Sequence, residues 1–167
     1  MKAYTVLFAG AVGSGKTTMA TYLSKNLNLV VLNNDAIRAE ITAALGKFDE
    51  VAFEKLRQRK FDYLLDKKLS FIYDASIDRR WQEFKNQLND SNYDYFVISL
   101  NFSKPLVEKL LTRRDSDLST NDKYLSDHAN FLDEFGSEVN LNLSDKDFDN
   151  QLQASLEAVE KWLKGLA

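Results

Sequence analysis

Residues 10–17 read Gly-Ala-Val-Gly-Ser-Gly-Lys-Thr, and these residue types suit the binding of phosphate groups. A glycine, four further residues and Gly-Lys-Thr form the pattern of a phosphate-binding loop, or P-loop. The glycines allow a tight turn in which several backbone N–H groups point at one anion. Lys16 would add a charge for the outer phosphates, and the Thr17 hydroxyl could ligate the magnesium ion that accompanies ATP. The predicted ATP-binding residues are Gly10, Ala11, Val12, Gly13, Ser14, Gly15, Lys16, Thr17 and Thr18.

The residues on either side of the loop supply the setting that this motif needs. The apolar run Ala3–Ala9 precedes it and predicts a buried parallel strand. Apolar residues then recur at helical spacing, at Met19, Tyr22, Leu23 and Leu27. The positive end of that helix would add to anion binding. This order favours nucleotide binding over a secretory signal, since the glycines and Lys16 interrupt the apolar stretch.

A second pair of candidate residues follows the apolar run Leu29–Leu32. Asp35 and Arg38 are three positions apart and would share one face of a helix. The Asp35 carboxylate could accept the proton of a substrate hydroxyl as that hydroxyl attacks the terminal phosphate of ATP. Arg38 could hold an anionic part of this acceptor. The alternative is that Asp35, or Asn34 before it, only caps the helix and that Arg38 is a solvated surface residue.

Asp74 closes a further predicted strand. An apolar strand that ends in an acid resembles the second motif of many nucleotide sites, after the P-loop. Asp74 could bind magnesium opposite Thr17, directly or through water, or it could instead orient Arg79 or the acceptor. Arg79 starts the next predicted helix, the unfavourable end for a cation, and this favours a substrate-binding role for it.

Arg113 and Arg114 end another predicted helix, and a polar loop follows them. Either arginine could fold over ATP and stabilise the charge that develops during phosphoryl transfer, as part of a lid around residues 111–122. The alternative is that these cations only complement the helix dipole.

The sole histidine, His128, is expected on the surface or in packing rather than as a base. The run Lys55–Lys60, which contains Arg57, is expected to be a solvated helix face.

The elements that must position these residues alternate between apolar runs and amphipathic segments, which predicts an α/β fold with a five-stranded parallel sheet. The predicted strands are Ala3–Ala9, Leu29–Leu32, Phe71–Asp74, Tyr95–Leu100 and Val139–Leu143. The predicted helices are Gly15–Asn26, Asp35–Leu45, Val51–Lys68, Ile77–Leu88, Lys104–Arg114, Asn121–Phe135 and Asp147–Lys164. Because ligands of such sheets bind beyond the carboxyl ends of the strands, we expect the candidate residues to meet there.

The composition narrows the class of protein. With 167 residues, 44% hydrophobic and 28% charged, the chain reads as one globular domain over residues 1–167. It contains no cysteine, which excludes disulfides and thiolate metal sites. No apolar run approaches the ~20 residues that span a bilayer, so we expect a cytoplasmic location and no membrane partner. The net charge of −3 disfavours extended nucleic-acid binding but leaves the binding of a strand end open.

Taken together, these residues resemble a known group of enzymes. The P-loop, Asn34-Asp35 with Arg38, and Asp74-Ala75-Ser76 before Arg79 are similar to the small P-loop kinases related to polynucleotide 5′-hydroxyl kinase. That group includes the zeta-toxin and chloramphenicol phosphotransferase types, and the similarity runs from residue 1 to about residue 135.

The resemblance implies a three-layer P-loop NTPase fold and ATP as phosphate donor. It also implies that Asp35 is the general base, that Arg38 contacts a substrate phosphate, and that the segment 111–114 acts as a lid. The group typically has Asp-Thr-Asn where this chain has Asp-Ala-Ser at 74–76, and the lid arginines are adjacent here rather than spaced. These departures concern the acceptor, whose identity the resemblance leaves open.

The sequence therefore predicts a magnesium-dependent kinase that transfers the γ-phosphate of ATP to a hydroxyl group, with Lys16, Asp35 and Arg113 or Arg114 as catalytic residues. A small molecule or nucleoside is the expected acceptor. A polynucleotide 5′-hydroxyl end is the first alternative. An ATP-binding or ATP-hydrolysing module without an acceptor is the second.

Overall fold

The computed structural model of the chain describes residues 2–114 and 116–166. Within them, five strands form one sheet in the order β2-β3-β1-β4-β5, and every neighbouring pair is parallel. The strands are β1 (Tyr4–Ala9), β2 (Val30–Asn33), β3 (Phe71–Ser76), β4 (Asp94–Leu100) and β5 (Leu141–Leu143). The predicted α/β architecture with a five-stranded parallel sheet is confirmed.

Helices cover both faces of the sheet. They are α1 (Lys16–Leu27), α2 (Asn34–Leu45), α3 (Glu50–Asp66), α4 (Trp81–Asp90), α5 (Lys104–Thr112), α6 (Asn121–Phe135) and α7 (Gln151–Leu166). Short 3-10 helices occupy Gly136–Glu138 and Asp145–Asn150. None of the helices in the described ranges is long and apolar enough to cross a membrane.

The core consists of two apolar layers, one on each face of the sheet. Alternation along β1 sends Leu7 towards α2, α3, α4 and α6, whereas Val6 and Phe8 point towards α1, α5 and α7. All six residues of β1 are buried, as expected of a central parallel strand that is covered on both faces. The result is the helix–sheet–helix arrangement that holds the strand ends at one edge.

Several element boundaries differ from the prediction, and at two of them a hydrogen bond to another element accounts for the shift. Strand β5 begins at Leu141 rather than Val139, since the Asn140 side chain accepts the Val97 N–H at 2.7 Å in place of a backbone carbonyl. Helix α4 begins at Trp81 rather than Ile77, because the Ile77 N–H donates to the Phe8 carbonyl at 3.0 Å and a turn follows. That turn carries Asp78 back towards β1.

An irregularity in β3 lies beside the P-loop. Leu7 of β1 pairs with Tyr73, but the next residue, Phe8, pairs with Ser76. Asp74 and Ala75 therefore have no partner on β1, whereas Asp74 still pairs with Asn33 of β2. Bulges of this kind turn a side chain in a new direction. Here the Asp74 side chain comes to lie against Thr17.

Candidate active site

An open cleft lies at the carboxyl ends of β1, β2 and β3, where the sequence predicted a ligand site. Most of the residues predicted to act there line its wall. They are Gly10, Val12, Gly13, Gly15, Lys16, Thr17, Asp35, Arg38, Asp74, Arg79 and Arg114. Asn34, Ala75 and Ser76, which belong to the strand-end segments singled out in the sequence, also line it. So do three residues that the sequence did not nominate, Asp78, Tyr124 and Asp127. Ala11, Ser14, Thr18 and Arg113 are not part of this wall.

The P-loop depends on glycine at positions where its neighbours and its backbone exclude a side chain. Gly13 has a φ of 82°, and a Cβ atom there would lie 2.4 Å from the Leu111 side chain of α5. Gly15 has a φ of 101° and precedes α1, whose first N–H groups have no side-chain cap. Those donors and the positive end of the helix are available to an anion.

Lys16 folds back over the loop. Its ammonium donates to the carbonyl oxygens of Gly10 at 2.8 Å and Ala11 at 2.6 Å. Burial lowers the pKa of Lys16 from 10.5 to about 8, although the nearby carboxylates, Asp78 foremost, act in the opposite direction. The loop therefore holds a buried ammonium group that is bonded to carbonyl oxygens rather than to a carboxylate.

Asp74 is a buried acid of the cleft. Its Oδ1 accepts a hydrogen bond from the Thr17 hydroxyl at 3.1 Å, and its Oδ2 accepts one from the Asn33 side chain. Burial raises the pKa of Asp74, and these two hydrogen bonds oppose that rise. The hydroxyl and carboxylate oxygens stand side by side, and they are the ligand types that magnesium prefers.

The chain does not build a complete metal cage at this point. Among residues 2–114 and 116–166, no group of three or more His, Asp or Glu side chains is arranged to hold a metal ion. Thr17 and Asp74 would supply one or two ligands, which fits a magnesium ion that keeps waters and phosphate oxygens as its other ligands.

Asp35 and Arg38 lie on α2 and line the same cleft as the P-loop. The cap of this helix is Asn33, whose side chain accepts the Ala36 N–H at 2.6 Å. Neither Asn34 nor Asp35 is therefore the capping residue, and the Asp35 carboxylate is exposed on the cleft wall. Asn34 is partly buried beside it, and its Oδ1 atom is buried without a hydrogen-bond partner in the described part of the chain.

Aromatic rings position the Arg38 guanidinium. It lies 4.4 Å from the centre of the Phe48 ring and 5.1 Å from that of Phe53, within the range of cation–π attraction. No carboxylate in the described ranges forms a salt bridge with it. Its N–H groups remain available to an anion in the cleft.

The other predicted arginines differ in their surroundings. Arg79 reaches towards α6, where its Nε lies 3.5 Å from Asp127 Oδ2 and its guanidinium 5.8 Å from the centre of the Tyr124 ring. Arg114 lines the cleft just beyond α5, whereas Arg113 is exposed and does not line it. Residue 115, within the predicted lid around 111–122, lies outside the described residues.

Two buried residues were missed or misplaced by sequence reasoning. Asp78 accepts the Gly10 N–H with both carboxylate oxygens at 3.2 Å, and it also bonds His128. His128 is only 4% exposed, so the expectation of a surface position is wrong, and that of a packing role is right, since its ring stacks on Phe131. The one available signal was that Asp78 is an acid four residues beyond the predicted strand end at Asp74.

Arg57 also departs from its expected place. It is 2% exposed on α3, so the expectation of a solvated face is wrong for this residue. Its guanidinium donates to Glu54 at 3.0 Å and lies 5.7 Å from the centre of the Phe84 ring. Glu54 binds Arg80 as well, at 2.9 Å, which keeps Arg80 out of the cleft.

Comparison with known proteins agrees with this geometry. The family model for zeta toxin matches residues 2–159, nearly the whole chain. No curated protein sequence matches the chain.

Solved structures share the fold at low sequence identity. A Chloroflexus aurantiacus protein with a provisional kinase assignment is 14% identical, with a TM-score of 0.71 and coverage of 98% of this chain and 97% of its own. A gluconokinase from Sinorhizobium meliloti is 13% identical, with a TM-score of 0.66 and coverage of 99% and 95%. The Mycobacterium tuberculosis APS kinase, solved with AMPPNP and APS, is 20% identical, with a TM-score of 0.59 and coverage of 95% and 98%. With its P-loop, its five-stranded parallel sheet and its matched family model, the chain belongs to the zeta toxin family and has the three-layer fold of P-loop kinases.

Proposed function

We propose that the protein is a magnesium-dependent kinase that transfers the γ-phosphate of ATP to a hydroxyl group of a small molecule or nucleoside. The observation that carries the proposal is that the P-loop and the pair Asp35 and Arg38 line one and the same cleft. A nucleotide-binding module without an acceptor would need only the P-loop.

The donor half of the site is formed by the P-loop. The N–H groups at the start of α1 would bind the phosphates, and Lys16 would turn from the Gly10 and Ala11 carbonyls to the outer phosphates. Thr17 and Asp74 would hold magnesium, which when bound neutralises charge on the β- and γ-phosphates.

Asp35 is the proposed general base. The acceptor oxygen forms a bond to the γ-phosphorus while the bond from that phosphorus to the bridging oxygen of ADP breaks. The proton of the acceptor hydroxyl passes to the Asp35 carboxylate, and the leaving electron pair stays on ADP. Exposure of Asp35 on the cleft wall, with helix capping left to Asn33, supports this role.

Arginines would hold the negative charges of the reacting groups. Arg38, stacked on Phe48, is suited to an anionic part of the acceptor because its N–H edge is open. Arg79 would contribute to binding of the acceptor as well. Arg114 is the better placed of the two lid arginines, since it lines the cleft and Arg113 does not. We propose that the segment 111–122 closes over ATP within a single-domain protein.

Two of the structural neighbours are named for small-molecule acceptors, gluconate and APS, and this supports a small acceptor here. A polynucleotide 5′-hydroxyl end is the second candidate. It is favoured by the Phe48 ring, which is 38% exposed beside Arg38 and could stack a base next to a bound phosphate.

The test is phosphoryl transfer from γ-labelled ATP to a panel of 5′-hydroxyl oligonucleotides, nucleosides, sugars and hydroxyl-bearing antibiotics. Asp35→Asn should lower kcat at least ~100-fold while AMPPNP still binds. Glu40→Gln is the matched control, because Glu40 lies on the same helix but pairs with Lys60 at 2.6 Å. Release of free phosphate without any labelled acceptor, equal in wild type and Asp35→Asn, would contradict the proposal.

A further inference from the structure

One buried hydrogen-bonded chain joins the P-loop to helix α6, which follows the proposed lid. The Gly10 N–H donates to Asp78 at 3.2 Å, and Asp78 Oδ1 lies 3.2 Å from His128 Nδ1. On the far side of the ring, His128 Nε2 lies 3.1 Å from the Ser99 hydroxyl of β4. The side chains of Asp78 and His128 are each 5% exposed, and Ser99 is fully buried.

The chemistry of these groups fixes which of them donates and which accepts in each of these hydrogen bonds. A carboxylate only accepts hydrogen bonds, so Asp78 receives one from Gly10 and one from His128. In the neutral ring with its proton on Nδ1, Nε2 is an acceptor and the Ser99 hydroxyl donates to it. Every polar atom of the imidazole then has a partner. Buried polar networks that are satisfied in this way hold their members in one arrangement.

Gly10 is the residue at which this row of hydrogen bonds meets the proposed nucleotide site. Its carbonyl accepts the Lys16 ammonium at 2.8 Å, and its N–H is the group bound by Asp78. When Lys16 turns to the phosphates, the carbonyl loses that partner. The bond to Asp78 is the remaining polar contact of the Gly10 peptide in the described structure. Asp78 is also the carboxylate that acts most strongly on Lys16.

The same face of α6 makes a second, weaker contact with the turn after β3. Tyr124 and Asp127 precede His128 by four and one residues, and both lie beside Arg79. In the ion pair of Arg79 with Asp127 the two side chains are 59% and 22% exposed and the atoms are 3.5 Å apart, and ion pairs with an exposed partner contribute little. The buried bond between Asp78 and His128 is therefore the contact that can hold α6 against the turn.

We propose that Asp78 and His128 are positioning residues that couple the P-loop to α6, so that ATP binding at the loop also orders the helix that follows the lid. Neither side chain touches substrate in this scheme. The inference rests on the proposed function only in requiring that the P-loop binds ATP. It assigns a role to residues that the phosphoryl-transfer step does not use.

Two amide substitutions at one position test the coupling. The amide of asparagine falls where histidine has Nδ1, and that of glutamine reaches the place of Nε2. His128→Asn can therefore keep the bond to Asp78, whereas His128→Gln keeps only the bond to Ser99. A packing role alone would make both variants alike. Glu134→Gln, an exposed acid on the same helix, is the control for a change of surface charge.

The measurements are calorimetric binding of AMPPNP with magnesium and hydrogen exchange of residues 121–135 with and without it. In wild type and His128→Asn, AMPPNP should slow exchange in α6. In His128→Gln, α6 should show no such slowing, and AMPPNP should bind roughly 10-fold more weakly. Asp78→Asn, which keeps the shape but loses the charge, should weaken binding to a similar extent and serves if His128→Gln does not fold.

Equal AMPPNP affinity and equal protection of α6 in the two histidine variants would overturn the inference, whether both match wild type or both are impaired. Wild-type protein that fails to bind AMPPNP at all would refute the proposed function, and the coupling with it. Wild-type binding without a difference between the variants would refute the coupling alone.

Discussion

The lowered pKa of Lys16 predicts that ATP affinity falls in mildly alkaline solution. In the free protein, burial among loop carbonyls brings this pKa to about 8. Bound phosphates would stabilise the ammonium and raise the pKa again. Above about pH 8, binding must therefore first return a proton to Lys16. The affinity for ATP then falls with each further pH unit.

The size of the effect follows from the titration of one group. With a pKa of about 8, roughly nine-tenths of the free protein carries the ammonium at about pH 7 and roughly one-tenth at about pH 9. ATP affinity should thus fall about 10-fold over this interval, equivalent to ~1.4 kcal/mol. The stability of the free protein should move in the opposite direction. The unfolded chain keeps the lysine proton up to about pH 10.5, so stability rises between about pH 8 and that value.

Calorimetric titration with AMPPNP and magnesium between about pH 7 and pH 9 measures the first quantity, and thermal unfolding of the free protein measures the second. Lys16→Arg is the informative comparison, because a guanidinium stays charged throughout and should abolish the decline in affinity above pH 8. An affinity that does not change with pH in the wild type, or an equal decline in Lys16→Arg, would refute the assignment of this titration to Lys16.

Three further predictions concern single side chains of the cleft. Asp74→Asn should raise Tm at neutral pH, because burial raises the pKa of Asp74 and the ionised carboxylate therefore destabilises the fold, while magnesium-dependent AMPPNP binding should be lost. Gly13→Ala should destabilise the protein by about 1–3 kcal/mol in urea unfolding, and if the clash with Leu111 is the cause, the same change should cost less when it is made in a Leu111→Ala background. Phe48→Ala should raise the KM for the acceptor several-fold and leave the KM for ATP unchanged, since it removes the ring that positions Arg38.

The parts of the site that the sequence predicted are those that local patterns encode. The P-loop needs particular residues at consecutive positions, and Asp74 follows an apolar run of recognisable composition. Asp35 could be nominated because the carboxyl ends of parallel strands meet at one edge. In each of these cases a rule of geometry converts position along the chain into position in space.

The parts that the sequence did not predict depend on contacts between distant segments. Asp78 would lie in the first turn of a helix if α4 began at Ile77, but a hydrogen bond from Ile77 to Phe8 of β1 delays the helix and turns Asp78 towards Gly10. His128 is buried because Asp78 and Ser99 meet it from two other elements. No residue pattern within α6 predicts that these two partners lie beside His128.

Arg57 illustrates a related limit. Its neighbours in sequence are charged, which favours a solvated helix face, yet Glu54 and the Phe84 ring give this one arginine a buried place. Which of two adjacent arginines enters the cleft depends likewise on where a helix stops. Because α5 ends at Thr112, Arg114 rather than Arg113 faces the site.

The strand order β2-β3-β1-β4-β5 has an evolutionary consequence. The elements proposed for the acceptor, α2 and the turn at residues 46–49 that joins it to α3, lie at the β2 edge of the sheet and contribute no residue to the P-loop. Insertions in this turn, which includes Phe48, would reshape the acceptor wall while the phosphate site stayed intact. Members of this fold can thus diverge in what they phosphorylate by exchanging one peripheral unit, provided that Ile37, Ile41 and Phe53 still fill the core beneath it.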